Sequence, residues 1–174
     1  MKKYLVVVDM QNDFVDGALG TNQARAIIPS AVEKIKGFDG DIFATFDTHF
    51  DDYMETAEGK KLPVPHCIKD TGGWQLNKEI LAALSEKGFT SVEKYTFGSV
   101  DLPEIIKTAA DGDEFTVELI GLCTDICVIS NALLLKANFP EAAIAVDEKC
   151  CAGVTPEKHN AAVEIMKSCH IDIM

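Results

Sequence analysis

Four polar segments of this sequence come directly after apolar runs, where a side chain is well placed to do chemistry. Asp9 follows Tyr4–Val8, Asp47 follows Ile42–Phe46, Lys94 follows Phe89–Val92, and the segment Cys123 to Cys127 follows Phe115–Ile120. Thr124 and Asp125 are helix-capping residue types, and a helix that starts there puts Cys127 in its first turn beside backbone N–H groups lacking an intrahelical acceptor. A helix N-terminus and a nearby lysine both favour a thiolate, and the same N–H groups can receive the oxyanion formed when a carbonyl is attacked. Cys123 competes for the nucleophile's role, but it precedes the cap and gains less from the helix dipole. Asp47 and His49 are two apart at a strand end, so in extended chain they point to one side and could share a cation, with His66 able to complete the set. Mixed carboxylate and imidazole ligation suits Zn, Fe or Mn. His159 and His170 lie on the last helix and near the last strand, and read as structural hydrogen-bonding residues.

The elements that must position these groups alternate along the chain. The runs Tyr4–Val8, Ile42–Phe46, Phe89–Val92, Phe115–Ile120, Ala142–Val146 and Ile171–Ile173 read as buried strands. Between them, Ala24–Ile35, Leu76–Leu84, Leu102–Ala109, Ile126–Ala137 and Glu157–Met166 carry helical spacing, stopped by Gly37 and Gly88 or started by Pro103, Thr155 and Pro156. Strand and helix in alternation predict an open parallel sheet with right-handed crossovers and helices on both faces, an α/β fold in three layers. In such sheets ligands bind outside the carboxyl ends of the strands, where the four polar segments lie. Asp47 to Gly73 is too long for an ordinary connection and is rich in Asp, Gly, Pro and His, which marks it as functional.

With 174 residues, one domain spanning 1–174 is expected. The 16 Lys and Arg against 28 Asp and Glu leave a net charge of -12, a repulsive field for nucleic acid. Apolar runs fall far short of the ~20 residues that cross a bilayer, and no signal-peptide core follows Lys2 and Lys3, so a cytoplasmic protein without membrane contact is expected. Six Cys at 67, 123, 127, 150, 151 and 169 would suggest disulfides in a small secreted domain, but in this setting most read as small buried hydrophobes.

Gly121-Leu-Cys-Thr-Asp-Ile-Cys127-Val resembles the nucleophile segment of the isochorismatase-like cysteine hydrolases, the superfamily that contains the nicotinamidases. Asp9-Met-Gln-Asn-Asp-Phe14 resembles the opening motif of that superfamily, and Lys94 falls where its lysine is expected. Asp47-Thr-His49 with Pro65-His66 resembles the metal segment of the nicotinamidase and pyrazinamidase branch. The resemblance implies six parallel strands in the order 3-2-1-4-5-6 and a catalytic triad of Asp9, Lys94 and Cys127. It also implies a cis peptide between Leu122 and Cys123, an oxyanion hole formed by the Cys123 and Cys127 N–H groups, and one divalent metal on Asp47, His49 and His66. The implied activity is cleavage of a small carboxamide, nicotinamide to nicotinate plus ammonia, through a thioester; a homo-oligomer is implied as well.

Three departures bear on that activity. Cys123 stands where the family usually has a small residue, commonly Ala. Phe50-Asp-Asp-Tyr-Met-Glu lacks the further His that some nicotinamidases carry, so waters are expected to fill the remaining metal positions. Leu62, Pro63 and Val64 stand where a Trp often stacks on the substrate ring. Leu62 then offers apolar contact only, and aromatic recognition falls to Phe14, Trp74 or Tyr95. Three other readings compete: a ureido or carbamoyl amidohydrolase with the same triad, a catalytically silent ligand-binding relative, and a metal hydrolase in which Cys127 is structural.

Overall fold

The computed structural model describes all 174 residues. One sheet of six parallel strands runs through it: β1 (Lys2–Val8), β2 (Asp41–Asp47), β3 (Thr90–Lys94), β4 (Phe115–Leu122), β5 (Ala143–Ala152) and β6 (Asp172–Ile173). Their order is β3-β2-β1-β4-β5-β6, as the resemblance implied. The helices are α1 (Asn12–Val15), α2 (Asn22–Ala26), α3 (Ile28–Gly37), α4 (Ala57–Lys61), α5 (Lys78–Lys87), α6 (Leu102–Ala110), α7 (Ile129–Asn138) and α8 (Pro156–Ser168).

The central strand explains the layering. Leu5 and Val7 of β1 join Ile28 and Ile35 of α3 and Ile80 and Leu84 of α5 in one core. Tyr4, Val6 and Val8 face the other way, into a core with Leu102 and Ile106 of α6, Leu135 of α7 and Met166 of α8. A strand buried on both faces needs apolar residues at every position, which is why β1 reads as an unbroken run. The strand order reverses between β1 and β4, so a crevice opens beyond the ends of these two neighbours, where Asp9 and Cys123 follow. Gly121 closes that seam: it pairs with Val8 at φ +121°, and a Cβ there would collide with the Val8 backbone.

Several elements differ from the sequence reading. The single helix expected over Ala24–Ile35 divides into α2 and α3 at Ile27, because Pro29 has no N–H to continue the ladder and sits instead in the first turn of α3. Thr21, which caps α2 through the Ala24 N–H, sets a new start at 22. The helix expected from Ile126 begins as one π turn over Thr124–Val128 and becomes α7 at Ile129. Strand β5 is longer than Ala142–Val146, because Asp147 to Cys150 bulge out and the ladder resumes with Gly121 opposite Cys151. The segment Asp47 to Gly73 carries structure of its own, a 3-10 turn at Tyr53–Glu55 followed by α4. All six Cys are free thiols, and no helix is long and apolar enough to cross a membrane.

Candidate active site

Three strand ends and one helical turn deliver Asp9, Asp47, Lys94 and Cys127 to the crevice. Asp9 leaves β1 with φ +48°, a left-handed conformation that takes the chain off the sheet, while its N–H still reaches the Thr45 carbonyl at 3.2 Å. The Thr45 hydroxyl donates to Asp9 Oδ1 at 2.6 Å. Asp9 Oδ2 lies 2.7 Å from Lys94 Nζ as an ion pair. Lys94, the last residue of β3, pairs in register with Asp47, and its Nζ donates to Asp47 Oδ1 at 2.9 Å and to the Thr96 carbonyl at 3.1 Å. The same nitrogen is 3.5 Å from Cys127 Sγ. Asp9 is fully buried, and Lys94 and Cys127 are 2% and 5% exposed.

Burial governs the protonation of this group. It raises the Asp9 carboxyl, and the charge of Asp47 raises it further, against the pull of Lys94. Burial also pushes the Cys127 thiol well above its usual range, helped by the charge of Asp9, so the expected depression by lysine and helix terminus is outweighed. Burial opposes the Lys94 charge, but Asp9, Cys127 and Asp47 together hold its ammonium well above the ordinary lysine value. The resting arrangement is therefore a neutral thiol, a firm ammonium, and a carboxylate whose proton affinity is above that of an ordinary Asp.

The turn that carries Cys127 is not capped as expected. Cys123 is the N-cap, with its carbonyl accepting from the Ile126 and Val128 N–H groups at 3.0 Å each. Thr124 instead contacts His159 Nδ1 at 2.8 Å, and Asp125 Oδ1 accepts from the Val154 N–H at 2.9 Å, so both side chains tie the turn to the start of α8. That contact gives His159 the structural part read for it, and His170 turns the chain after α8 at φ +59°. The Leu122–Cys123 peptide is cis. Burial and neighbouring carboxylates push the Cys123 thiol up to about 12 as well, so what distinguishes Cys127 is the Lys94 ammonium 3.5 Å from its sulfur.

Asp47, His49 and His66 converge next to this group, with one ligand atom of each lying within 4.8 Å of the others. His49 Nε2 is 3.0 Å and His66 Nε2 3.6 Å from Asp47 Oδ2. Burial alone would raise Asp47, but hydrogen bonds from the two imidazoles and the charge of Lys94 hold it far below the usual carboxylate range. His66 Nδ1 donates to the Val64 carbonyl at 2.8 Å, which turns Nε2 toward Asp47. His49 is fixed by its N–H to the Cys67 carbonyl, and Cys67 by its N–H to Asp13 Oδ2 at 2.7 Å. The Tyr53 ring meets both imidazoles edge-on, 4.8 and 5.1 Å between centroids.

A carboxylate outside the sequence reading faces the same point: Glu58 Oε1 of α4 is 3.8 Å from His49 Nε2 and 3.7 Å from His66 Nε2. Its helix was invisible as a periodic run, being five residues capped by Thr56 through the Gly59 N–H. Two further residues carried a signal, each a polar residue inside an apolar element. Thr45 is one; Asn131 is the other, where Oδ1 accepts from the Ser99 N–H and Nδ2 donates to the Cys127 carbonyl at 2.8 Å.

The four residues expected to touch substrate are placed differently from one another. Phe14 is buried with its ring 5.4 Å from that of His66. Trp74 packs on Phe46 at 5.2 Å and donates its indole N–H to the Thr48 hydroxyl. Leu62 ends α4 and accepts from the Tyr53 hydroxyl through its carbonyl. Tyr95 is 57% exposed and stacks on Phe50.

Residues 3–174 match the isochorismatase domain as a family. An uncharacterised isochorismatase-family protein of Bacillus subtilis is 32% identical over 146 residues, 76% of this chain and 78% of its own. The fold superposes on a nicotinamidase/pyrazinamidase structure from Bacillus subtilis with a TM-score of 0.84 at 27% identity, covering 99% of both chains. It also superposes on the pyrazinamidase of Pyrococcus horikoshii in complex with zinc, with a TM-score of 0.81 at 25% identity, covering 100% of this chain and 99% of the other.

Proposed function

This chain belongs to the isochorismatase family of hydrolases, and on that premise we propose that it is a cysteine amidohydrolase acting on a small heteroaromatic carboxamide, with nicotinamide the best single candidate. One observation carries the reading: a single buried ammonium, Lys94 Nζ, touches Asp9, Asp47 and the Cys127 sulfur at once. The Cys127 thiol gives its proton to the Asp9 carboxylate, which lies within hydrogen-bond reach of it, while Sγ attacks the carboxamide carbon. Lys94 stays protonated and stabilises the sulfur as charge develops. The N–H groups of Cys123 and Cys127 receive the oxyanion. Asp9 then passes its proton to the leaving nitrogen, and ammonia departs from a thioester. Water attacks that thioester with Asp9 taking its proton, and the acid leaves as the proton returns to sulfur.

Asp47, His49 and His66 fit a divalent cation of the Zn, Fe or Mn kind, because their donor atoms converge and His66 is already turned by Val64, and Glu58 stands within 3.8 Å of both imidazoles as a further candidate ligand. When bound, such an ion supplies a Lewis-acid contact for a substrate ring nitrogen, directly or through water. That contact would hold the carboxamide over Cys127, with Phe14 beside it.

Ammonia release from nicotinamide, benzamide and a ureido compound tests the reading, with Cys127→Ala as the control. Nicotinamide turnover at least tenfold above benzamide, abolished in a folded Cys127→Ala protein, is expected. Equal kcat/KM for the two amides removes the role of the ring nitrogen. Faster turnover of the ureido compound replaces the substrate class, and an active Cys127→Ala protein removes the nucleophile.

A further inference from the structure

Strand β1 leaves the sheet two residues before its neighbour ends. The β1–β2 ladder ends with Val8 opposite Thr45, and Asp9 then turns away at φ +48°. Had β1 continued, Asp9 would have offered its carbonyl to the Asp47 N–H and Gln11 its N–H to the Asp47 carbonyl, as the parallel ladder requires. Neither bond forms. The side chain of Gln11 supplies both instead: Oε1 accepts from the Asp47 N–H at 2.8 Å, and Nε2 donates to the Asp47 carbonyl at 2.9 Å. The second Nε2 hydrogen goes to the Trp74 carbonyl at 2.8 Å. Gln11 itself is fully buried and pinned by an antiparallel bridge with Leu76, through the Asn12 N–H to the Gln75 carbonyl and the Asn77 N–H to the Met10 carbonyl.

We infer that Gln11 is a positioning residue whose carboxamide stands in for the missing stretch of β1, holding the Asp47 backbone so that one carboxylate oxygen meets Lys94 and the other meets His49 and His66. The inference extends the metal reading proposed above and rests on it for its functional consequence. The site needs two incompatible things from one strand pair. Asp9 must turn off the sheet to bring its carboxylate to Lys94, 2.7 Å away, and Asp47 must stay in strand geometry to bring its own to the same nitrogen. A flexible strand end would satisfy the first and lose the second. Gln is suited to the task because a carboxamide carries a donor and an acceptor side by side, the pattern of a peptide group, on a stem long enough to reach across. Glu has the reach without the donor, and Met the shape without either polar group.

The test uses the full-length protein with Gln11→Met and Gln11→Glu, and with Asn12→Ala as the comparison. Asn12 Nδ2 bonds the exposed Gly72 carbonyl in the same connection but does not touch Asp47. Circular dichroism establishes that each variant folds. Hydrogen exchange read at the Asp47 amide and zinc affinity by competition with a chelator are then compared. Expected are at least tenfold faster exchange at Asp47 in Gln11→Met, which loses the acceptor as well as the donor, and at least tenfold weaker zinc binding in both Gln11 variants, the loss typical of a group that orients a metal ligand, with Asn12→Ala like wild type. Faster exchange with wild-type zinc affinity overturns the positioning role, leaving a structural bond only. Wild-type exchange at Asp47 in Gln11→Met overturns the inference outright, whatever the zinc result. Wild-type protein that binds no zinc defeats the metal reading separately, and the clamp is then decided by the exchange at Asp47.

Discussion

Replacing Lys94 with Met keeps the apolar stem of the side chain and removes the ammonium that lies 2.7 Å from Asp9 Oδ2 and 2.9 Å from Asp47 Oδ1. At an effective dielectric of about 20, opposite charges at that separation attract by roughly 6 kcal/mol per contact. Desolvation offsets much of this, so stripping one partner from a buried pair costs about 3–5 kcal/mol. Single domains hold roughly 5–15 kcal/mol in all, which leaves the variant folded with a small margin. The loss should also depend on pH. Asp9 is already raised by burial and by Asp47, and without Lys94 it must rise further. Its folded-state value then lies well above the unfolded one, so the native state takes up the proton first on acidification, and the deficit, full at high pH, shrinks as pH falls through the folded value. Wild-type Lys94 loses nothing over the same range, because its ammonium is held above the ordinary lysine value. Urea unfolding of both proteins at pH 8 and pH 5.5 gives the comparison. A deficit of about 3–5 kcal/mol at pH 8 is expected, smaller by about 1.4 kcal/mol at pH 5.5 for each unit by which Asp9 has risen into that window. A wild-type urea midpoint at pH 8, or a deficit that ignores pH, would refute the reasoning.

Two other outcomes follow from the same geometry. Asp9 must be ionised to take the thiol proton, and its carboxyl is raised, so the acid limb of kcat/KM should lie above the pH at which an ordinary Asp titrates, about 3.9; a limb at or below that value, measured with zinc content held constant, removes Asp9 as the base. Glu58→Ala should weaken zinc binding by roughly tenfold or more with the thermal melt nearly unchanged, since Glu58 faces both imidazoles from a short surface helix; unchanged affinity excludes it from the metal set.

The sheet and most of the site were legible because they depend on local pattern. Apolar runs of strand length, separated by helical spacing, give the layers, and a polar residue directly after each run marks the crevice edge. That rule raises Asp9, Asp47, Lys94 and the segment Cys123 to Cys127 as candidates, the family resemblance singles out Asp9, Lys94 and Cys127, and the structure gathers them with Asp47 around one nitrogen. What failed to show was set by one local breaker that the periodicity overrode and by single long-range contacts. Pro29 divided a helix that periodicity joined. Thr124 and Asp125 gave up the capping expected of them because His159 and the Val154 N–H, each about thirty residues on, claimed their side chains. Cys127 was read as an activated thiolate from its neighbours in sequence, whereas complete burial beside Asp9 decides its protonation.

Asp47 shows why spacing alone misjudges such a site. Asp47 and His49 read as a metal pair, and Lys94 as a member of a separate group, because the chain places them on different strand ends. In the fold they share one carboxylate, with Oδ1 on Lys94 and Oδ2 on His49 and His66, and the backbone between is held by Gln11. A buried carboxylate with three partners leaves no oxygen to move without releasing one of them. The Asp47, His49 and His66 cluster and the Lys94 ammonium beside Cys127 are therefore one mechanical unit: any substitution that rotates Asp47 to improve one side must withdraw it from the other. That coupling needs only a buried side chain short enough to have a single orientation, and Asp at the end of β2, facing Lys94 in register across the ladder, meets the requirement where the longer Glu would not.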